Sequence, residues 1–77
     1  MNRIDTITQI VKEISGNDAA PNAGESLFES GYLDSFALPD MVSAIEKAFH
    51  IRIPDGDVTP RKFDSIERIA AYLESRA

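Results

Sequence analysis

The chain has 77 residues, 43% of them hydrophobic, no cysteine, a formal charge of −5 and a pI near 4.6. The length gives one domain, residues 1–77, with little material for a cleft walled by two layers. Without cysteine there is neither a disulfide framework nor a thiolate metal site, and the acidic balance disfavours nucleic acid, whose phosphates reward Lys and Arg. The same charge suits partners with basic docking patches, or simply keeps a small protein in solution. The opening M-N-R-I-D-T-I-T-Q-I holds no apolar block of signal-peptide or membrane-span length, so the expectation is an unprocessed cytoplasmic monomer with no membrane span.

Ile4, Ile7, Val11 and Ile14 recur at spacings of three and four, with Ile10 widening the stripe, and predict a first helix over residues 3–15. Gly16 and Asn17 stop it. A long connection over residues 16–34 follows, with Pro21, Gly24 and the cluster S-L-F-E-S-G-Y-L-D. A connection of that length packs its own side chains or serves a function, and Leu27, Phe28 and Leu33 are the residues to pin it.

A second helix is predicted over residues 35–50, with Leu38, Met41, Val42, Ile45 and Phe49 on one side and Asp40, Ser43, Lys47 and His50 on the other. Phe36 falls on the polar side. Single exposed apolar residues are common, yet an aromatic beside a candidate site is also a reasonable partner contact. Pro39 disturbs a helix that starts at 35 but fits one that starts near Leu38.

The stretch I-R-I-P-D-G-D-V-T-P-R-K-F is broken by two prolines and a glycine. One short helical turn around residues 55–62 is expected there, with Val58 and Phe63 closing the core. The last helix is predicted over residues 65–76, with Ile66, Ile69, Ala70 and Leu73 as its apolar face and Tyr72 at the edge. Asp64 and Glu67 have the spacing of a capping box. No strand pattern persists. The fold class is therefore all-α: three main helices, one short one, and a long first crossover.

The inventory of reactive groups is poor. His50 is the single histidine and stands at the far end of the second helix from Ser35, too distant to form a Ser–His pair. Asp55 and Asp57 flank Gly56, but the spacing of a calcium loop is missing, so D-G-D reads as a turn. What remains is D-S-F at 34–36. A serine or aspartate at a helix start ordinarily caps it; a hydroxyl placed there after an ordered loop is also accessible for modification, and a phosphodiester at that end meets the positive pole of the helix.

The stretch L-F-E-S-G-Y-L-D-S-F, followed by M-V-S-A-I-E-K-A-F-H-I-R-I-P-D, resembles the acyl carrier protein family, whose members carry a D-S-L motif at the start of their second helix and an I-x-I-P-D turn after it. The resemblance implies a four-helix fold and a 4'-phosphopantetheine arm carried covalently on Ser35, placed there by a phosphopantetheinyl transferase. It further implies an acyl or aminoacyl cargo held as a thioester, a loading ligase, and a downstream acyltransferase or synthase in lipid or secondary metabolite biosynthesis. Asp34, Phe36, Asp40, Ser43, Glu46 and Lys47 become partner-docking positions, and no residue is assigned a catalytic or metal role. Gly31 stands one residue earlier than in carriers that read L-G-x-D-S-L, Phe36 replaces leucine, and Pro39 sits where a helix former is usual. The pattern looks closer to D-alanyl carriers and to discrete carriers of specialised pathways than to the housekeeping fatty-acid carrier. A rival reading is a carrier-fold interaction module that stays unmodified, for which Phe36 and the displaced Gly31 argue. A hydrolase built on Ser35 is disfavoured because no base is within reach.

Overall fold

The first apolar stripe winds as predicted. In the computed structural model, which describes residues 3–76, helix α1 spans Arg3–Ser15 and buries Ile7, Ile10 and Val11. Gly16 ends it at φ +72°, a left-handed conformation that costs glycine nothing, and its N–H donates to Lys12 O at 2.9 Å.

The second helix begins later than the periodicity suggests. Residues Ser35–Ala37 form a 3₁₀ turn, and helix α2 spans Leu38–Phe49. Pro39 is the physical reason: it lacks a backbone donor and is tolerated only in the first turn. The helix buries Leu38, Met41, Val42 and Ile45, while Phe49 stays half-buried. His50 closes it in a left-handed conformation, φ 56°.

The expected short helix over 55–62 is reduced to one 3₁₀ turn, Asp55–Asp57, followed by a plain turn that delivers Phe63 fully buried into the core. Helix α3 spans Ile66–Arg76 and buries Ile66, Ile69 and Leu73. Its cap departs from the expected Asp64–Glu67 box. Ser65 Oγ accepts from Arg68 N–H at 3.1 Å, and Asp64 is spent elsewhere: its carboxylate accepts from Ser26 Oγ at 2.8 Å and its carbonyl from Leu27 N–H.

The fold is all-helical, with no strand among the described residues. Helix α1 packs against both α2 and α3, and one continuous core joins the three helices to Leu27, Leu33, Ile53 and Phe63 from the connections. No described helix is long and apolar enough to cross a membrane.

The loop before α3 is latched to that helix through Asp57. Tyr72 Oη donates to Asp57 Oδ2 at 2.7 Å, Lys62 Nζ meets Oδ1 at 3.0 Å, and Arg76 Nη1 stands 3.8 Å from Oδ2. The Tyr72 hydrogen bond, then that from Lys62, hold the Asp57 carboxyl below its ordinary value. Desolvation, then the bond to Asp57, push the Tyr72 phenol up. A carboxylate whose pKa is depressed on folding stabilises above its unfolded pKa and loses that contribution as pH falls through the lower folded value. Asp57→Asn is therefore expected to lower the melting temperature at neutral pH, with the deficit closing as pH drops below the ordinary carboxylate range. A deficit that stays constant into strong acid excludes the carboxylate as its source.

His50 generates a second expectation. A non-glycine side chain in the left-handed region costs about 1 kcal/mol, and the exposed His50 ring makes no hydrogen bond among the described residues to offset it. His50→Gly is expected to raise unfolding stability in urea by up to about 1 kcal/mol; a loss of stability would show that the imidazole does more than occupy the cap.

Candidate functional site

The site is built where the long crossover turns into α2. Leu27 is fully buried and Leu33 nearly so, and Leu33 N–H donates to Leu27 O at 2.8 Å, closing the 27–33 segment into a loop anchored at both ends. Tyr32 Oη reaches back to Ala19 O at 2.6 Å. Gly31, at φ +82°, makes the reversal inside that loop. This accounts for a glycine one position earlier than the carrier pattern suggests: the turn it serves comes before Tyr32 and Leu33, not next to the serine.

The chain then emerges to solvent at Asp34, Ser35 and Phe36, all exposed. Asp34 has extended backbone (φ −82°, ψ 147°), and its Oδ1 accepts from Phe36 N–H at 3.0 Å. Asp34 thus takes the capping role for the 3₁₀ turn. Ser35, at the first position of the turn, lends its carbonyl to Leu38 N–H, but its hydroxyl makes no hydrogen bond among the described residues. The capping reading of D-S-F is answered by the aspartate, and the serine hydroxyl is left to solvent.

The chemistry open to that hydroxyl follows from its neighbours. No side chain accepts its proton, so nothing prepares it as a nucleophile. His50 lies beyond α2, whose 12 residues run about 18 Å. A group attached at Oγ, by contrast, starts from an exposed residue. The first turn of α2 has no side-chain cap, since Ala37 occupies the N-cap position; Leu38 N–H is taken by Ser35 O and Pro39 has none, so what the helix start offers near Ser35 is its positive pole. An exposed, unbonded hydroxyl before an uncapped helix fits a phosphodiester-linked arm.

The expected docking positions divide in the structure. Phe36 is 86% exposed, the one large hydrophobic side chain so displayed among the described residues. Asp40, Ser43 and Lys47 are exposed along α2 and continue from Phe36 at steps of four, three and four, one stripe of the helix. Glu46 behaves differently: it is half-buried and its Oε2 accepts from Ile53 N–H at 2.7 Å, fastening the 51–53 segment to α2. Beside the stripe runs an open groove of about 460 Å³, lined by Pro39, Val42 and Ser43 on one wall and Ile53, Asp55 and Val58 on the other. The sequence reads Asp55 only as part of the D-G-D turn and not as a docking position, because its place across from Ser43 depends on a tertiary contact. The P-D dipeptide after I-R-I was the available signal.

Residues 5–73 match the family model described as phosphopantetheine attachment site. The chain is 30% identical over 76 residues to the D-alanyl carrier protein of Enterococcus faecalis, covering 97% of each chain. It is 26% identical over 69 residues to that of Lactobacillus acidophilus, covering 90% of this chain and 87% of the relative, and 27% identical over 71 residues to that of Leuconostoc mesenteroides, covering 92% and 91%.

If Asp34 is the cap that leaves Ser35 unbonded, Asp34→Ala should loosen the turn locally by about 1 kcal/mol. Hydrogen exchange at the Phe36 amide would then speed up about fivefold, while Ser35→Ala leaves that rate unchanged. Equal acceleration in both variants would return the capping role to the serine.

Proposed function

The chain belongs to the phosphopantetheine-attachment family, and we propose that Ser35 is its attachment residue and that the arm carries an aminoacyl cargo, D-alanine, as a thioester. The protein is a carrier, and its cofactor is a covalent 4'-phosphopantetheine. The observation that carries the Ser35 assignment is the exposed hydroxyl left unbonded by the Asp34 cap.

When bound, the arm supplies the thiol on which a carboxylic acid is held as a thioester. The chain's own residues do three simpler things. Ser35 presents its hydroxyl at an exposed junction, where a phosphopantetheinyl transferase would join Oγ to the pantetheine-bearing phosphate of coenzyme A, breaking the pyrophosphate bond, releasing 3',5'-ADP and taking up the hydroxyl proton. Asp34 caps the turn by accepting from Phe36 N–H, which leaves the serine hydroxyl without a capping duty. Phe36 and the Asp40–Ser43–Lys47 stripe offer the transferase, a loading ligase and a downstream acyltransferase a mixed apolar and charged surface.

D-alanine is favoured by the names of the relatives, which are D-alanyl carriers along nearly their whole length. The surface supports a dedicated pathway over bulk fatty acid synthesis: Asp40 is set against Lys47, which weakens the single-sign field that steers one broad class of basic partner.

Incubation with coenzyme A, magnesium and a phosphopantetheinyl transferase is expected to add the mass of one arm, and Ser35→Ala to add none. Mass gain in the alanine variant overturns Ser35; no gain in the wild-type chain favours the unmodified interaction module. With ATP and an aminoacyl ligase of the D-alanine type, the modified protein should take up D-alanine in preference to L-alanine or short fatty acids. Preferential loading of a fatty acid would overturn the cargo and leave Ser35 standing.

A further inference from the structure

Half of the chain's eight Lys and Arg residues collect in one place that the carrier site does not use. Arg61 and Lys62 on the loop, and Arg68 and Arg76 on α3, line an open groove of about 510 Å³ whose floor includes the Tyr72 ring. Asp57 is the one carboxylate in it. Lys62 and Arg76 share that carboxylate, whereas Arg61 and Arg68 are in no ion pair among the described residues. A chain at −5 thus presents a groove with four cations against one acid.

We propose that this groove docks an extended acidic segment of a partner protein. Two of the four cations, Lys62 and Arg76, are held in place before anything binds. Lys62 Nζ stands 5.8 Å and the Arg76 guanidinium 5.7 Å from the centre of the Tyr72 ring, and Arg76 Nη2 also donates to Arg52 O at 2.7 Å. Side chains fixed in this way lose less freedom when they take a ligand.

Spacing selects the shape of the ligand. Arg68 and Arg76 are two turns apart on α3, about 12 Å along the axis. That distance is too long for one phosphate and suits carboxylates a few residues apart on an extended strand, at about 3.3 Å per residue. Charge selects its extent. A bilayer or a nucleic acid presents negative charge over a wide area and meets the protein's net −5 as well as the groove. A short acidic segment meets the groove alone, because charges beyond about 8 Å are screened at physiological salt. Nor does the groove offer a wedge for a membrane: among the described residues the one exposed large hydrophobic is Phe36, on the carrier site.

The placement keeps the two surfaces apart. Within the 55–58 segment, Asp55 lines the groove beside α2 while Asp57 lines the basic groove beside α3. An acidic segment bound along α3 therefore leaves the Ser35 junction open, and docking does not depend on the arm.

The test is binding of a labelled peptide of four glutamates alternating with glycine, followed by fluorescence anisotropy and by amide shifts in the full chain. Shifts should gather on residues 57–62 and on the Arg68–Arg76 face. Arg68→Glu should weaken binding at least about tenfold and Arg68→Gln by less, whereas the equal charge change Lys12→Glu should alter it by less than about twofold. Ser35→Ala should bind like the wild-type chain. A melting curve of Arg68→Gln establishes that the fold is retained. No binding, equal loss in Lys12→Glu and Arg68→Glu, or tighter Arg68-dependent binding of inorganic phosphate or of phosphatidylglycerol vesicles than of the peptide would each overturn the proposal.

Discussion

Asp64 accepts two hydrogen bonds from the far side of the molecule, one on its carboxylate from Ser26 and one on its carbonyl from Leu27. Three residues later in the same entry to α3, Glu67 N–H donates to Ala23 O at 3.0 Å. These contacts clasp the middle of a crossover that has no helix of its own to the start of the last helix. Ordering such a segment costs about 1–2 kcal/mol per residue in backbone entropy. The hydrogen bonds return about 1 kcal/mol each, and the full burial of Leu27 about 2 kcal/mol more. The crossover is thus held at a few points rather than along its length, and the clasp fixes Leu27, the residue to which Leu33 is tied just before the serine junction. It also claims one of the N–H groups that the start of α3 leaves without an intrahelical partner.

From that clasp the geometry of the serine follows in short steps. Leu27 is anchored, Leu33 hydrogen-bonds back to it, Gly31 makes the reversal between them, and Asp34 leaves the loop extended with its carboxylate over the next turn. Every residue on either side of Ser35 has a structural duty or a buried neighbour within two positions. The serine itself contributes only a carbonyl. A residue that supports little can be modified with little effect on the fold, which is the physical sense in which a modification site belongs at the junction of two elements and not inside one.

The three helices and most of the core were legible because burial imposes a 3.6-residue period, which survives in the sequence as Ile7–Val11, Met41–Ile45 and Ile66–Ile69. Polar assignments fared less well where two local solutions competed. Asp64-x-x-Glu67 and Ser65-x-x-Arg68 offer caps one residue apart, and nothing local ranks them. Ser26, 38 positions away, takes the aspartate and leaves the cap to Ser65. The same blindness applied to D-S-F, where aspartate and serine were both competent caps and the backbone angles of Asp34 decided between them. Asp57 read as a turn residue because its partners Lys62, Tyr72 and Arg76 lie on the other side of that turn. The Ser35 junction itself was legible as a motif, while its freedom from capping was not.

Asp57 also shows why the net charge describes this surface poorly. A single carboxylate stabilises the loop by drawing Lys62 and Arg76 toward Tyr72, and in doing so it concentrates cations that would otherwise repel one another. Its depressed pKa reflects that bargain: the negative charge is kept because positive groups and the Tyr72 hydroxyl surround it. The outcome is a molecule of two signs, with carboxylates dominating the total and arginines dominating one groove. On a body only 28 × 27 × 19 Å, screening keeps such fields local, so the cationic groove along α3 and the mixed-charge stripe beyond Ser35 are electrostatically separate surfaces of the same small chain.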